Sequence, residues 1–213
     1  HLNFTVAEHT LELMRSIAQS GELNHLTPER VWQEFERALN TETPSAFFDT
    51  LTSSHALHLL TEFSSITPTA LKKVNAKTAH TPEIKFALLC ALANLEPAAI
   101  DALCQRLRIP NRYRDLALTQ QRHGHTVAHF STATPCKKLA LILEQKLTKQ
   151  PAKLDTLIAI NAALNPSLII SASPIRNAIA AVADVQPKQL IEEGFKGAEL
   201  GKALRERQLE RLI

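Results

Sequence analysis

The 213 residues are 45% hydrophobic and 21% charged, enough apolar material for a substantial core and too much for a disordered chain. No stretch approaches the ~18 uninterrupted apolar residues of a membrane span, and the first residues lack the basic-then-apolar order of a signal peptide, so a soluble, cytoplasmic protein is expected. The net charge of +3 hides a polarity: residues 1–66 hold nine acids and three bases, residues 67–213 twelve acids and twenty-one bases. A basic surplus of that kind suits a polyanion, whose phosphates it neutralises with release of counterions, although a solvated lysine-rich surface has the same composition.

Only five glycines, one tryptophan and one tyrosine accompany abundant Ala, Leu, Glu, Gln, Lys and Arg. That balance predicts an all-α fold, an irregular multi-helix array with no β-sheet. The first helix is expected over Thr5 to Ser20, ending at Gly21, with Val6, Leu13, Met14 and Ile17 on its apolar face. In the next segment, "LTPERVWQEFERAL", Thr27 is placed to cap, Pro28 to open the helix and Glu29 to meet the positive end of its dipole. Val31, Trp32, Phe35, Ala38 and Leu39 form its buried stripe, and Arg30 and Glu34 can pair across one turn.

"PSAFFDTL" and "HALHLL" read as two short helices, and the polar "SSITP" near residue 65 as a joint. Beyond it, helices restart behind Pro68, Pro82, Pro97, Pro110, Pro135, Pro151, Pro174 and Pro187. "LTKQPAK", residues 147–153, makes a second joint, which divides the chain into 1–65, 66–148 and 149–213. No self-similarity marks a named repeat.

"RHGHTVAHF" places His123, His125 and His129 within seven residues. Only His125 and His129 have the i, i+4 spacing that aims two imidazoles at one ion, the Glu of a zinc-protease helix is missing, and Gly124 is expected to interrupt the helix. A polar or partner-facing histidine cluster is therefore favoured over a metal site, with His80 or His123 beside Asp101 or Asp115 as the residual ligand set. Cys90, Cys104 and Cys136 lack CxxC spacing and read as reduced core or near-core residues. There is no glycine-rich phosphate loop, nucleophile elbow or close carboxylate pair. Basic side chains remain as candidates: Arg106, Arg108, Arg112 and Arg114 with Tyr113 interleaved, and Lys196, Lys202, Arg205, Arg207 and Arg211 along the last helix. A guanidinium suits phosphate, and it also complements a helix C-terminus.

Three segments resemble one family. "LNFTVAEHTLELMRSIAQSGELNHLTPERVWQEFERAL…PSAFFDTL" resembles the neck of bacterial CCA-adding tRNA nucleotidyltransferases, the class II type related to bacterial poly(A) polymerases. "FALLCALANL…LCQRLRIPNRYRDLAL" resembles their HD-containing middle, and "VQPKQLIEEGFKGAELGKALRERQLERL" their tail. The resemblance implies a neck over 1–65 in which Arg30, Trp32 and Glu34 are structural, a body over 66–148 and a tail over 149–213. It implies tRNA as partner, held by its acceptor and TΨC arms, with Arg106, Arg108, Arg112, Arg114, Lys196, Lys202 and Arg205 as candidate contacts. It also implies that the catalytic head, with its metal-binding aspartates, Mg and CTP/ATP sites, precedes Leu2-Asn3-Phe4, so no catalytic residue, cofactor or metal is expected in this chain and the sequence reads as a piece of a longer polypeptide.

Where the family's phosphohydrolase carries its first ligand and its His-Asp pair, this sequence has Thr67 and Ala91-Leu92, and the stretch between Leu92 and Leu103 looks shortened. The HD site is thus expected to be degenerate. A poly(A) polymerase region, a helical protein-interaction scaffold and a surviving HD phosphohydrolase stand as the alternatives.

Overall fold

Proline opens most of the helices. In the computed structural model, which describes residues 6–75 and 81–213, twelve α-helices and several 3-10 turns follow one another, with no strand among the described residues. The helices are α1 (Glu8–Ser20), α2 (Pro28–Leu39), α3 (Ser45–Ser53), α4 (Pro68–Leu71), α5 (Pro82–Leu92), α6 (Pro97–Leu107), α7 (Asn111–Ala128), α8 (Pro135–Glu144), α9 (Ala152–Leu164), α10 (Ala172–Ala183), α11 (Pro187–Glu192) and α12 (Gly197–Glu210). Proline occupies the first position of α2, α4, α5, α6, α8 and α11, where its missing N–H costs nothing and its fixed φ suits the helix. No described helix is long and apolar enough to cross a membrane. The chain forms two compact units, His1–Gln121 and Arg122–Ile213, with the division inside α7.

The first unit is built on aromatic rings. Phe35 of α2, fully buried, has ring centroids 5.8 Å from Trp32, 6.0 Å from Phe47, 5.9 Å from Phe48, 5.6 Å from Phe63 and 6.3 Å from Phe86. Tyr113 of α7 closes the cluster, edge-on to Trp32 at 4.7 Å. Helix α5 is buried from Ile84 to Cys90 without a break, so it shows no amphipathic stripe and runs through the middle of the unit. Lys85 is buried with it, and its Nζ donates to the Thr41 carbonyl at 2.6 Å, beyond the end of α2. Removal from water pushes this amine below the usual lysine range.

Several local expectations are corrected. Helix α1 ends at Gly21 in the left-handed region (φ 81°), but its half-buried side is Leu11, Met14 and Ile17, while Leu13 is 57% and Val6 41% exposed. Leu13 lies more than a third of a turn off the line through residues 11, 14 and 18. Thr27 holds the N-cap of α2 without a side-chain cap bond, and Glu34 pairs with Arg37 at 2.7 Å rather than with Arg30. "HALHLL" forms 3-10 turns over Leu57–Phe63, broken at Leu60 (φ −134°, ψ 49°), instead of an α-helix. Cys90 and Cys104 are buried, with burial raising the Cys104 thiol to about 11, whereas Cys136 at the start of α8 is exposed. Gly124 does not interrupt α7: it lies on the buried side with His123 and Val127, where the ~1 kcal/mol helix cost of glycine is tolerated.

The second unit has an aliphatic core, with Leu139, Leu141, Ile142, Leu147, Ile160 and Ile175 fully buried. Helix α8 packs against α12 and α10, and α11 against α12. Gly194 ends α11 at φ 101°, a conformation open to glycine alone at little cost, with the Phe195 N–H bonded to the Leu190 carbonyl at 3.0 Å. Removing the hub ring of the first unit tests its weight: Phe35→Ala is expected to lower unfolding free energy by about 3–5 kcal/mol in urea titrations, and a loss under about 1 kcal/mol would show that the ring cluster is not the unit's core.

Candidate RNA-binding surface

The arginines of 106–114 flank the junction of α6 and α7, and each is held by a carboxylate of its own unit. Arg106 donates through Nη2 to both oxygens of Glu62 at 2.8 Å and through Nη1 to the Leu59 carbonyl at 3.2 Å. Arg108, in the left-handed region past the end of α6 (φ 57°), pairs loosely with Glu29 at 3.5 Å. Arg112 donates to Glu83 and Glu36, each at 2.9 Å, and lies 4.9 Å from the centroid of the Tyr113 ring. The Tyr113 hydroxyl donates to the same oxygen of Glu36, and burial, followed by that carboxylate, pushes it up to about 12. Arg114 binds Asp101 at 2.6 Å and Asp115 at 3.4 Å. Charge-assisted bonds of this kind fix α7 to α2, α5 and α6, so the segment's positive charge is largely answered from within.

The neck residues divide by burial. Trp32 is buried in the aromatic cluster, while Arg30 and Glu34 are exposed at the edge of a cavity of about 390 Å³. Its other lining is mostly apolar, including Met14, Ile17, Val31 and Phe47, and it offers no array of donors for a phosphate.

The histidines of α7 do not converge on one point. His123 is buried with Nε2 3.0 Å from Oε2 of Glu144, a carboxylate that only accepts, so this nitrogen carries the proton. Arg122 donates to the same oxygen at 3.2 Å. His125 and His129 are exposed, with ring centroids 4.7 Å apart. Among the described residues no three of His, Cys, Asp and Glu gather as ligands, and His80 lies outside those residues. Thr67 accepts from the Ala70 N–H at 3.3 Å as the N-cap of α4, and Ala91 and Leu92 close α5.

The second unit carries thirteen Lys and Arg against eight Asp and Glu. Lys196 precedes α12, exposed and without a partner; Lys202 stands 3.9 Å from Glu206; Arg205 and Arg211 have no partner; Arg207 pairs with Glu193 at 3.0 Å. Lys137, Lys146, Lys149 and Lys153 are also exposed and unpartnered. Lys149 and Lys153 fall in the 147–153 segment expected to be a joint, and Lys146 immediately precedes it. Their spacing in "KLTKQPAK" carries the signal, but only the ion-pair pattern separates them from the committed cations.

Among the described residues the chain is all-helical, with most of its unpaired positive charge in the second unit. The family pattern described as "Probable RNA and SrmB-binding site of polymerase A" matches residues 3–65. The chain is 35% identical over 217 residues to a CCA-adding enzyme of Pseudomonas putida (strain W619), covering 99% of this chain and 58% of that protein. It is 33% identical over 211 residues to a CCA-adding enzyme of Coxiella burnetii (strain RSA 493 / Nine Mile phase I), covering 98% and 55%. It is 28% identical over 256 residues to a "Multifunctional CCA protein" of Aliivibrio salmonicida (strain LFI1238), covering 99% and 62%. These matches, running along nearly the whole chain, support a CCA-adding enzyme body and tail region. It spans little more than half the length of these curated relatives, and no solved structure matches it.

Two carboxylates in these networks set an acid limit on stability. Burial pushes Glu83 up, but bonds from its own N–H, from Thr81 and from Arg112 outweigh burial and hold it below 4.5. Glu144 is likewise pushed up by burial and held below 4.5 by Arg122 and His123. Because both folded values lie below the unfolded one, their stabilisation is complete above about pH 4.5 and is lost as pH falls through the folded values. Melting temperature followed from pH 6 to pH 3 should therefore drop at the acid end, less steeply in Glu83→Gln; parallel curves for parent and variant would remove Glu83 from this account.

Proposed function

We propose that this chain is the tRNA-binding portion of an enzyme that adds or repairs the 3′-terminal CCA using CTP and ATP, with the nucleotide chemistry in a head domain outside this sequence. The observation that carries it is the match to CCA-adding enzymes along 98–99% of the chain, joined to a surplus of unanswered positive charge in the second unit. Unit one supplies the neck and body that a head would pack against; unit two supplies charge for the acceptor and TΨC arms. Among the candidate contacts, Lys196, Lys202 and Arg205 meet phosphate, while Arg106, Arg108, Arg112 and Arg114 act first through their carboxylates. Recognition rests on phosphates, 2′-hydroxyls and A-form shape more than on bases.

The HD site of related proteins is degenerate here. Threonine at 67 and Ala91-Leu92 offer no ligand set, and the alignment with the multifunctional relative is longer than the chain itself, so that relative carries segments this sequence lacks. The protein works in the cytoplasm. No Mg or nucleotide site is assigned to these residues.

The test is binding of the 213-residue chain to a tRNA lacking its CCA end, titrated against salt, with double-stranded DNA of similar length as control. Affinity that favours tRNA and falls linearly in log–log salt plots supports the function. Equal affinity for both, or none at low salt, favours the helical scaffold. CCA against poly(A) synthesis is decided in the full-length enzyme by whether extension stops after three nucleotides.

A further inference from the structure

The turn from α8 to α9 concentrates more free charge than any other stretch of the second unit. Lys146, Lys149 and Lys153 are exposed and have no partner among the described residues; the flanking acids are committed, Glu144 to Arg122 and His123, Asp155 to Arg176 at 2.7 Å. The turn is held firmly. The N–H groups of Lys149 and Gln150 both donate to the Lys146 carbonyl at 2.9 Å, and the Leu147 N–H to the Ile142 carbonyl at 2.9 Å. Buried Leu147 and Leu154 anchor its two sides, leaving the lysines outward, with the Cα atoms of Lys146 and Lys149 within about 7 Å of each other as in any hydrogen-bonded four-residue turn.

Fold stability does not account for these residues. Lys146 occupies the left-handed position after α8 (φ 53°), where glycine is the usual residue. Lys153 is the second residue of α9, where a cation opposes the helix dipole. Three like charges within eight residues repel one another. Each choice is locally unfavourable, and a polyanion bound at the turn would turn all three into attractions.

We propose that Lys146, Lys149 and Lys153 form a contact for the phosphate backbone of RNA, as point charges that position the strand without reading bases. The proposal rests on the tRNA-binding function given above. It places this contact in a turn, apart from the arginines of 106–114 and from the neck segment matched by the RNA-binding family pattern, whose region is acidic.

Three full-length forms of the chain decide it: the parent, a Lys146→Gly/Lys149→Gln/Lys153→Gln variant, and a control with equal charge removed at paired exposed sites, Arg37→Gln/Arg176→Gln/Lys188→Gln. The probe is tRNA lacking CCA, and the readout is the slope of log affinity against log salt. The turn variant should lose about 2 to 3 from the slope, at ~0.7–0.9 per phosphate contact, and the control less than about 1. Lys146→Gly alone should keep or raise the melting temperature, which separates binding from folding, and Lys149→Gln/Lys153→Gln, with the backbone position untouched, should lose about 1.5 to 2 from the slope. Equal slopes for the turn variant and the control overturn the proposal and leave tRNA binding intact. A parent with no salt-dependent tRNA affinity overturns both.

Discussion

Glu36 is the point on which the first unit depends. One carboxylate oxygen accepts from the guanidinium of Arg112 and from the hydroxyl of Tyr113, consecutive residues in the first turn of α7, while the ring of Tyr113 packs edge-on against Trp32 beneath it. The arrangement joins the polar edge of α2 to the aromatic cluster around Phe35, and Arg112 extends it to Glu83 on α5. Burying the sole tyrosine is affordable only because its hydroxyl finds that acceptor. Helices α2, α5 and α7 are thereby locked by rings inside and charges outside.

This lock explains where the positive charge of the chain is spent. In the first unit, Arg106, Arg108, Arg112 and Arg114 are absorbed by Glu62, Glu29, Glu36, Glu83 and Asp101. The acidic balance of residues 1–66 is therefore partly the counter-charge of the arginine segment that follows. In the second unit bases outnumber acids, and seven Lys and Arg side chains stand without partners: Lys137, Lys146, Lys149, Lys153, Lys196, Arg205 and Arg211. Net charge separates the two units, and pairing shows which cations within each are left for a partner.

Much of the fold was legible from residue types. Proline at helix starts and the scarcity of glycine gave an all-α array, and the 3.6-residue period of Trp32, Phe35 and Leu39 marked the buried face of α2. Less legible were features that residue types leave open, whether a choice between two neighbours, a packed face or a backbone break. Glu34 chose Arg37 over Arg30, Gly124 stayed helical because its side of α7 is packed, and Leu60 broke the second short helix. The candidate site shows the same division. Clusters of arginine were visible, but most of their partners lie 29 or more residues away, as with Glu83, Glu62 and Glu36, so sequence spacing could not separate a structural arginine from one left for phosphate. Lysines in a proline-containing turn look like linker in the sequence; the turn's hydrogen bonds and the engagement of its flanking acids by other side chains set them apart.

The central claim is that the carboxylate-bound arginines of 106–114 serve the fold, while the unpaired cations of the second unit are the ones proposed to meet RNA. Chemical footprinting tests it directly: acetylation of lysines and dicarbonyl labelling of arginines in the whole chain, with and without tRNA, read by mass spectrometry. The account predicts tRNA protection at Lys146, Lys149, Lys153, Lys196 and Arg205, with Arg106, Arg112 and Arg114 unchanged. Protection confined to the arginines of 106–114, with the second-unit lysines labelled as freely as before, would contradict it.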